Sequence, residues 1–134
     1  MLLAVGCKKV NSISPSISSQ ESAALDYDLV IDKIISWDEA LSQSLEKYNV
    51  YVYSLTCGHC REIKETVISK AIERNDIYFI EYSKSIPVSE DVSDTIGKND
   101  ITEIFILGTP TLLVVENGVL IDNLAGKNAI LKAL

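Results

Sequence analysis

The pair Cys57 and Cys60 stands between a strand-like run and a helix-like run, and this arrangement constrains the fold more than any other feature of the chain. The run before the pair, residues 50–55 (VYVYSL), is β-branched and aromatic and predicts a strand. The run after it, residues 61–75, repeats its apolar residues at helical spacing and predicts an amphipathic helix. The cysteines are therefore expected in the turn that joins a strand to a helix.

The remaining segments alternate in type. Apolar and β-rich runs predict four further strands, at 28–35, 77–82, 111–115 and 119–124. Helices are predicted at 37–48, at 89–97 as one or two turns, and at 127–134. Ser36 and Glu39 form a capping box before the first of these helices, and Asn117-Gly118 is a hairpin turn signal. The order predicts an α/β domain with a central mixed β-sheet flanked by helices on both faces.

Residues 1–27 differ in composition from the rest. Their opening stretch ends in Gly6-Cys7 and resembles the end of a bacterial lipoprotein signal, in which the cysteine is lipidated. The stretch is shorter than usual and no basic segment precedes it, so a tail with an incidental cysteine is the alternative. Residues 10–20 are rich in serine and predict a flexible tether. We therefore expect a truncated signal and tether at 1–27, lipidation at Cys7, and one domain at 28–134.

Charge and hydropathy exclude two classes of partner. The chain has 12 Lys and Arg residues against 19 Asp and Glu, a net charge of −7, which argues against nucleic acid because phosphate binding depends on basic side chains. A run of roughly 18 apolar residues, which a membrane-spanning helix needs, is missing from the sequence. Contact with a membrane is expected only through the lipid anchor.

The spacing of Cys57 and Cys60 favours redox chemistry. A thiol at the first turn of a helix faces unpaired N–H groups and the positive end of the helix dipole, so the pKa of Cys57 should fall. Cys60 follows one turn later and can attack a mixed disulfide formed at Cys57. Gly58 is expected to permit the tight turn, while His59 and Arg61 add positive charge near the thiolate.

Three other interpretations of the cysteines compete with the redox one. A zinc site would need more ligands than the sequence offers, because there is one histidine and no second Cys-x-x-Cys. A purely structural disulfide would restrain the unfolded chain little, since the ring is so small. A chance pair of inert thiols is the third alternative. We therefore expect no metal and no cofactor.

The motif Cys57-Gly58-His59-Cys60 resembles that of protein disulfide isomerases. Gly108-Thr109-Pro110-Thr111, followed by a strand and a hairpin, is similar to the cis-proline loop of thioredoxin-fold thiol–disulfide oxidoreductases. The resemblance covers residues 28–134 and implies a thioredoxin fold, a cis bond before Pro110, and substrate binding by Thr109 and Pro110 beside the cysteines. The residues alone allow an ordinary trans proline at the start of a strand equally well.

The chain departs from the thioredoxin pattern at two positions. Thr56 stands where thioredoxins have a tryptophan before the first cysteine, and Tyr51 stands where they have a buried acid. The acid is thought to assist proton transfer for Cys60, so no proton acceptor is assigned. Glu62 and Glu65 are close in sequence, but their pattern fits a solvated helix face better.

The sequence thus predicts an enzyme that exchanges thiols and disulfides on cysteine-containing proteins outside the cytoplasm, by oxidation or isomerisation. The chain is expected to be a monomer, tethered at the bacterial cell surface or in the periplasm, and recycled by a redox partner; a cytoplasmic location is the alternative. A reductase that delivers electrons to one dedicated partner is the second functional candidate. A binding module without turnover is the third.

Overall fold

A computed structural model describes residues 24–134, so Cys7 and most of the predicted tether lie outside the described residues. The sheet has four strands: β1 (Lys47–Tyr53), β2 (Ile77–Glu81), β3 (Thr111–Glu116) and β4 (Val119–Ala125). Their order is β2-β1-β3-β4. β1 and β2 are parallel, whereas β1 with β3 and β3 with β4 are antiparallel. The predicted mixed sheet is confirmed.

Side chains along β1 alternate between two cores. Tyr51 and Tyr53 pack with the helices α1 (Gly58–Glu73) and α2 (Lys127–Ala133) on one face. Tyr48, Val50 and Val52 pack on the other face, beneath short 3₁₀ turns and the segments that join them. This alternation follows from the two-residue period of a strand, and it places both α-helices on the face that carries the cysteines.

The strand predicted at 28–35 is wrong: Tyr27–Lys33 is a 3₁₀ helix begun by Asp26, whose side chain accepts a hydrogen bond from the Tyr27 N–H. Only Tyr27 and Val30 are buried in it, three residues apart, while Ile31 is 70% exposed. The exposed apolar residues give this segment a continuous apolar run, which is the sequence pattern of a strand. Among residues 24–134, this segment pairs with the sheet through one bridge, between Ile34 and Phe79.

The helix predicted at 37–48 is also wrong, although its capping box is present. Glu39 accepts a hydrogen bond from the Ser36 N–H at 3.0 Å, but the helix is a single 3₁₀ turn, Trp37–Glu39. The Tyr48 hydroxyl donates to the Ala40 carbonyl at 2.8 Å and accepts from the Gln43 N–H at 3.2 Å. The Ala40 carbonyl and the Gln43 N–H are therefore bonded to a side chain, whereas in a longer helix they would bond to the helix backbone. Tyr48 itself belongs to β1.

Other boundaries differ less. The helix predicted at 89–97 is reduced to one 3₁₀ turn, Ser93–Thr95, and an unpredicted turn follows at Ile101–Glu103. The hairpin between β3 and β4 is confirmed, with φ of 54° at Asn117 and 76° at Gly118. Among residues 24–134, every helix is too short or too polar to cross a membrane.

Candidate active site

Cys57 is the N-cap of α1 and is joined to Cys60 by a disulfide bond. β1 ends at Tyr53, and a three-residue turn carries the chain to Cys57. The Cys57 sulfur accepts a hydrogen bond from the Cys60 N–H at 3.1 Å, which satisfies one of the unpaired donors at the helix start. The sequence-predicted placement of both cysteines at the start of the helix is therefore what the structure shows.

The two sulfurs differ in access to solvent. Cys60 is 1% exposed and packs in the core with Ile63 and Val67, whereas Cys57 is only partly buried. An incoming thiol or disulfide thus reaches Cys57 first.

The Gly108–Pro110 segment lies against Cys57. The Thr109–Pro110 peptide bond is cis, the conformation that the resemblance implies. The carbonyl oxygen of Thr109 is 3.5 Å from the Cys57 sulfur. Pro110 is buried, and its carbonyl accepts a hydrogen bond from the Gly126 N–H at 3.0 Å. The loop is thus anchored from behind by the residue that precedes α2.

A groove of about 330 Å³ opens beside Cys57 on the side of this loop. It is lined by Ser54, Thr56, Cys57, Tyr82, Val88, Gly108 and Thr109. Thr56 is exposed, and its hydroxyl lies 3.1 Å from that of Ser54. Val88 is 51% exposed, so part of the groove wall beside Cys57 is apolar.

Charged side chains surround the outer edge of α1, and we call His59, Arg61, Glu62 and Lys127 the rim. The His59 imidazole Nδ1 is 3.6 Å from a Glu62 carboxylate oxygen, and the same oxygen forms an ion pair with Lys127 of α2. Lys127, and secondarily His59, hold the pKa of Glu62 below its usual value. Arg61 is exposed and has no ion pair within residues 24–134.

The expected role of Gly58 in a tight turn is wrong. Gly58 is the first residue of α1 and does not have a positive φ. A Cβ at this position would meet no described atom within 4 Å. Any small side chain fits here as far as residues 24–134 are concerned.

Four aromatic rings lie in the same core as Cys60, and we call Tyr27, Tyr51, Tyr53 and Phe79 the floor. The Tyr27 and Tyr53 rings stack with centroids 3.9 Å apart, and Phe79 meets the three tyrosines edge-on. The Tyr51 hydroxyl is buried without a hydrogen-bond partner among the described residues. Burial raises the pKa of Tyr27 and of Tyr51, and it raises the pKa of Tyr53 to about 12.

Sequence reasoning missed two of these participants. Tyr27 was assigned to the tether, although it stacks on Tyr53 beneath the site. Lys127 carried no signal except its position directly after Gly126, because its contact with Glu62 joins residues far apart in the chain.

Within residues 24–134, no group of three His, Cys, Asp or Glu side chains is arranged to hold a metal ion.

Known proteins resemble this chain in sequence and in fold. No model of a known protein family matches it. A relative from Brevibacillus choshinensis named "Disulfide bond formation protein" is 29% identical over 101 residues, which cover 73% of this chain and 76% of the relative.

Two solved structures share the fold. Mitochondrial thioredoxin 3 of Saccharomyces cerevisiae, in its oxidized form, has a TM-score of 0.50 at 15% identity and covers 78% of this chain and 92% of its own. The long form of spinach chloroplast thioredoxin f has a TM-score of 0.50 at 13% identity, and the match covers 90% of this chain and 95% of the thioredoxin. The chain therefore has a thioredoxin fold, with a disulfide of Cys-x-x-Cys spacing at the start of α1.

Proposed function

We propose that the protein oxidises thiols to disulfides, or isomerises disulfides, in protein substrates outside the cytoplasm, with Cys57 as the reacting sulfur and Cys60 as the resolving one. The observation that carries this is the asymmetry of the pair. Cys57 is partly exposed at the N-terminus of the 16-residue helix α1, while its partner Cys60 is 1% exposed. Only one sulfur of the disulfide is thus open to a protein thiol.

Oxidation of a substrate proceeds in two exchanges. A substrate thiolate attacks the Cys57 sulfur, a mixed disulfide forms, and the Cys57–Cys60 bond breaks with its electron pair on Cys60. A second substrate thiolate then attacks the substrate sulfur of the mixed disulfide, so that the substrate gains a disulfide and Cys57 leaves as a thiolate. The protein is now a dithiol with two extra electrons, and a disulfide-bearing redox partner must accept them before the next cycle.

The surroundings of Cys57 favour its thiolate. The Cys60 N–H in the first turn of α1 donates to the sulfur, and the helix dipole adds positive potential there. His59, when protonated, and Arg61 contribute further positive charge in the rim. A stabilised thiolate stabilises the reduced protein, which makes the oxidised protein a stronger oxidant. The site is therefore suited to give its disulfide away.

The groove beside Cys57 supports a polypeptide as substrate. Gly108 and Thr109 form one wall, and Thr56 and Val88 also line the groove. Because the wall is a loop rather than a strand within the sheet, its backbone is placed to pair with an extended peptide.

The remaining parts of the proposal concern location and partners. The name of the Brevibacillus choshinensis relative supports oxidation rather than reduction, and it supports action outside the cytoplasm. A lipid on Cys7 would tether the domain to a membrane, and the acidic net charge of −7 argues against nucleic acid. We propose that the domain works as a monomer.

Turnover assays test the proposal directly. Wild type should reactivate scrambled ribonuclease and catalyse insulin reduction by dithiothreitol; Cys57→Ser should do neither, and Cys60→Ser should accumulate a mixed disulfide at Cys57. Cys7→Ser is the matched control and should keep wild-type turnover. Equal inactivity of wild type and Cys57→Ser would contradict catalysis and favour a binding module. A midpoint potential as low as that of thioredoxin would favour the reductase.

A further inference from the structure

Three side chains of the rim contact one another in series and join the two α-helices. His59 and Glu62 stand one turn apart at the start of α1, and Lys127 is the first residue of α2. The Glu62 carboxylate is 3.6 Å from His59 Nδ1 and is also paired with the Lys127 ammonium group. The carboxylate therefore has two basic neighbours, and one of them, His59, is close to Cys57 in sequence and is cationic when protonated.

Lys127 also lies next to the residue that holds the Pro110 loop in place. Lys127 follows Gly126, whose N–H donates to the Pro110 carbonyl behind the loop that contacts Cys57. The side chains of His59, Glu62 and Lys127 are 64%, 51% and 37% exposed, so each is accessible and none is essential to the core.

Glu62 alone would oppose the chemistry proposed for Cys57. A carboxylate at the start of α1 adds negative charge beside a thiolate and offsets the positive charge of His59. Glu62 is ionised at neutral pH, and its pairing with Lys127 lowers its pKa and offsets its negative charge. Lys127 provides that balance from another helix.

We propose that Lys127 tunes the redox equilibrium of the Cys57–Cys60 pair by neutralising Glu62, which leaves the positive charge of His59 available to the Cys57 thiolate. Glu62 and Lys127 are positioning residues in this account, because they act on the sulfur through His59 and through the local field. The inference rests on the proposed redox function of the pair.

The two partners of one ion pair should then have opposite effects. The quantity to measure is the equilibrium constant for oxidation of the reduced protein by glutathione disulfide, which yields the protein disulfide and two glutathione molecules. Lys127→Met unmasks the Glu62 charge, destabilises the thiolate and should raise this constant about two- to fivefold, the range of an exposed ion pair. Glu62→Gln removes the negative charge and should lower the constant by a similar factor.

Further arms separate the electrostatic account from a purely structural one. If the ion pair only clamps α1 to α2, both variants lose the same contact and should shift the constant in the same direction. The double variant Glu62→Gln/Lys127→Met restores the balance and should return to within about twofold of wild type. In about 1 M NaCl the shifts should shrink, because exposed charges are then screened within a few ångströms.

Glu65→Gln and Lys132→Met are the matched controls. They make the same charge changes farther along the same two helices, on side chains without an ion pair among residues 24–134. Both should stay near wild type. Shifts of the same sign in Lys127→Met and Glu62→Gln, no shift in either, or equal shifts in the controls would each overturn the inference. A wild-type protein that fails to equilibrate with glutathione would instead contradict the proposed function.

Discussion

The rim and the floor of the site have opposite physical character. The rim is charged and exposed, with His59 and Glu62 more than half accessible to solvent. The floor is aromatic and buried, with Phe79 and Tyr51 fully inaccessible. Cys57 is only partly buried and lines the groove, whereas Cys60 is buried in the core that contains the floor.

This division explains why two identical side chains take different roles. The rim acts on the charge of Cys57 and contributes little to stability, since exposed ion pairs are weak in water. The floor excludes water from Cys60 and holds α1 on the sheet, because buried aromatic area dominates core energetics. Changes in the floor should therefore alter stability, and changes in the rim should alter redox behaviour.

Phe79→Ala should have the largest effect on stability. Phe79 meets three tyrosine rings edge-on and is fully buried, so truncation leaves a cavity beneath α1 and should cost about 3–5 kcal/mol of unfolding free energy. Urea denaturation measures it. Phe79→Leu, which fills most of the space, should cost less and stay folded. In that variant the alkylation rate of Cys57 should not change; a large change would break the separation of floor from rim.

Alkali should destabilise the floor. The folded pKa of Tyr53 is about 12 and those of Tyr27 and Tyr51 are also raised, whereas an unfolded tyrosine ionises near pH 10. Their stability contribution is present in full below about pH 10 and is lost as pH rises toward the folded values. Denaturation midpoints measured from pH 8 to 12 should fall above pH 10. A flat profile would contradict the burial of these hydroxyls.

Two tyrosines on opposite faces of β1 offer a matched comparison. The Tyr48 hydroxyl has hydrogen bonds to the Ala40 carbonyl and the Gln43 N–H, so Tyr48→Phe should cost about 1–3 kcal/mol. The Tyr51 hydroxyl is buried without a partner among the described residues, so Tyr51→Phe should be neutral or stabilising. Thermal unfolding of both variants checks this. An equal loss in both would mean that Tyr51 has a partner in solution.

His59→Gln should have the smallest effect on stability, within about 0.5 kcal/mol, because the side chain is 64% exposed. It should nevertheless raise the equilibrium constant for oxidation by glutathione disulfide, since positive charge near the Cys57 thiolate is lost. Parallel measurements of unfolding and of the redox equilibrium separate the two outcomes. A loss of stability without a redox shift would place His59 with the floor rather than the rim.

Local signals allowed the site to be predicted from the sequence. The strand before Cys57, the helix after Cys60 and the Asn117-Gly118 hairpin each depend on residues adjacent in the chain, and all three are present. The resemblance alone implied that the Pro110 loop lies against the cysteines, and in the structure the Thr109 carbonyl contacts Cys57.

The failures have tertiary causes. The run at 28–35 has strand composition, but packing of Tyr27 and Val30 against α1 and the sheet makes it a 3₁₀ helix. The capping box at Ser36 begins a helical turn. The helix does not continue, because the Tyr48 hydroxyl donates to the Ala40 carbonyl. The Glu62–Lys127 pair joins two helices whose contact depends on the complete fold.

The most direct test of the account is the pH dependence of alkylation in the reduced protein, with Cys57 and Cys60, which share one peptide, distinguished by fragmentation in the mass spectrometer. We expect Cys57 to react rapidly below pH 7, with an apparent pKa clearly under the ordinary value of about 8.5, while Cys60 stays protected by the floor. Cys7 serves as the internal comparison. A Cys57 that titrates near 8.5, or a Cys60 that reacts as fast as Cys57, would contradict the central claim that the start of α1 activates one exposed sulfur of a redox pair.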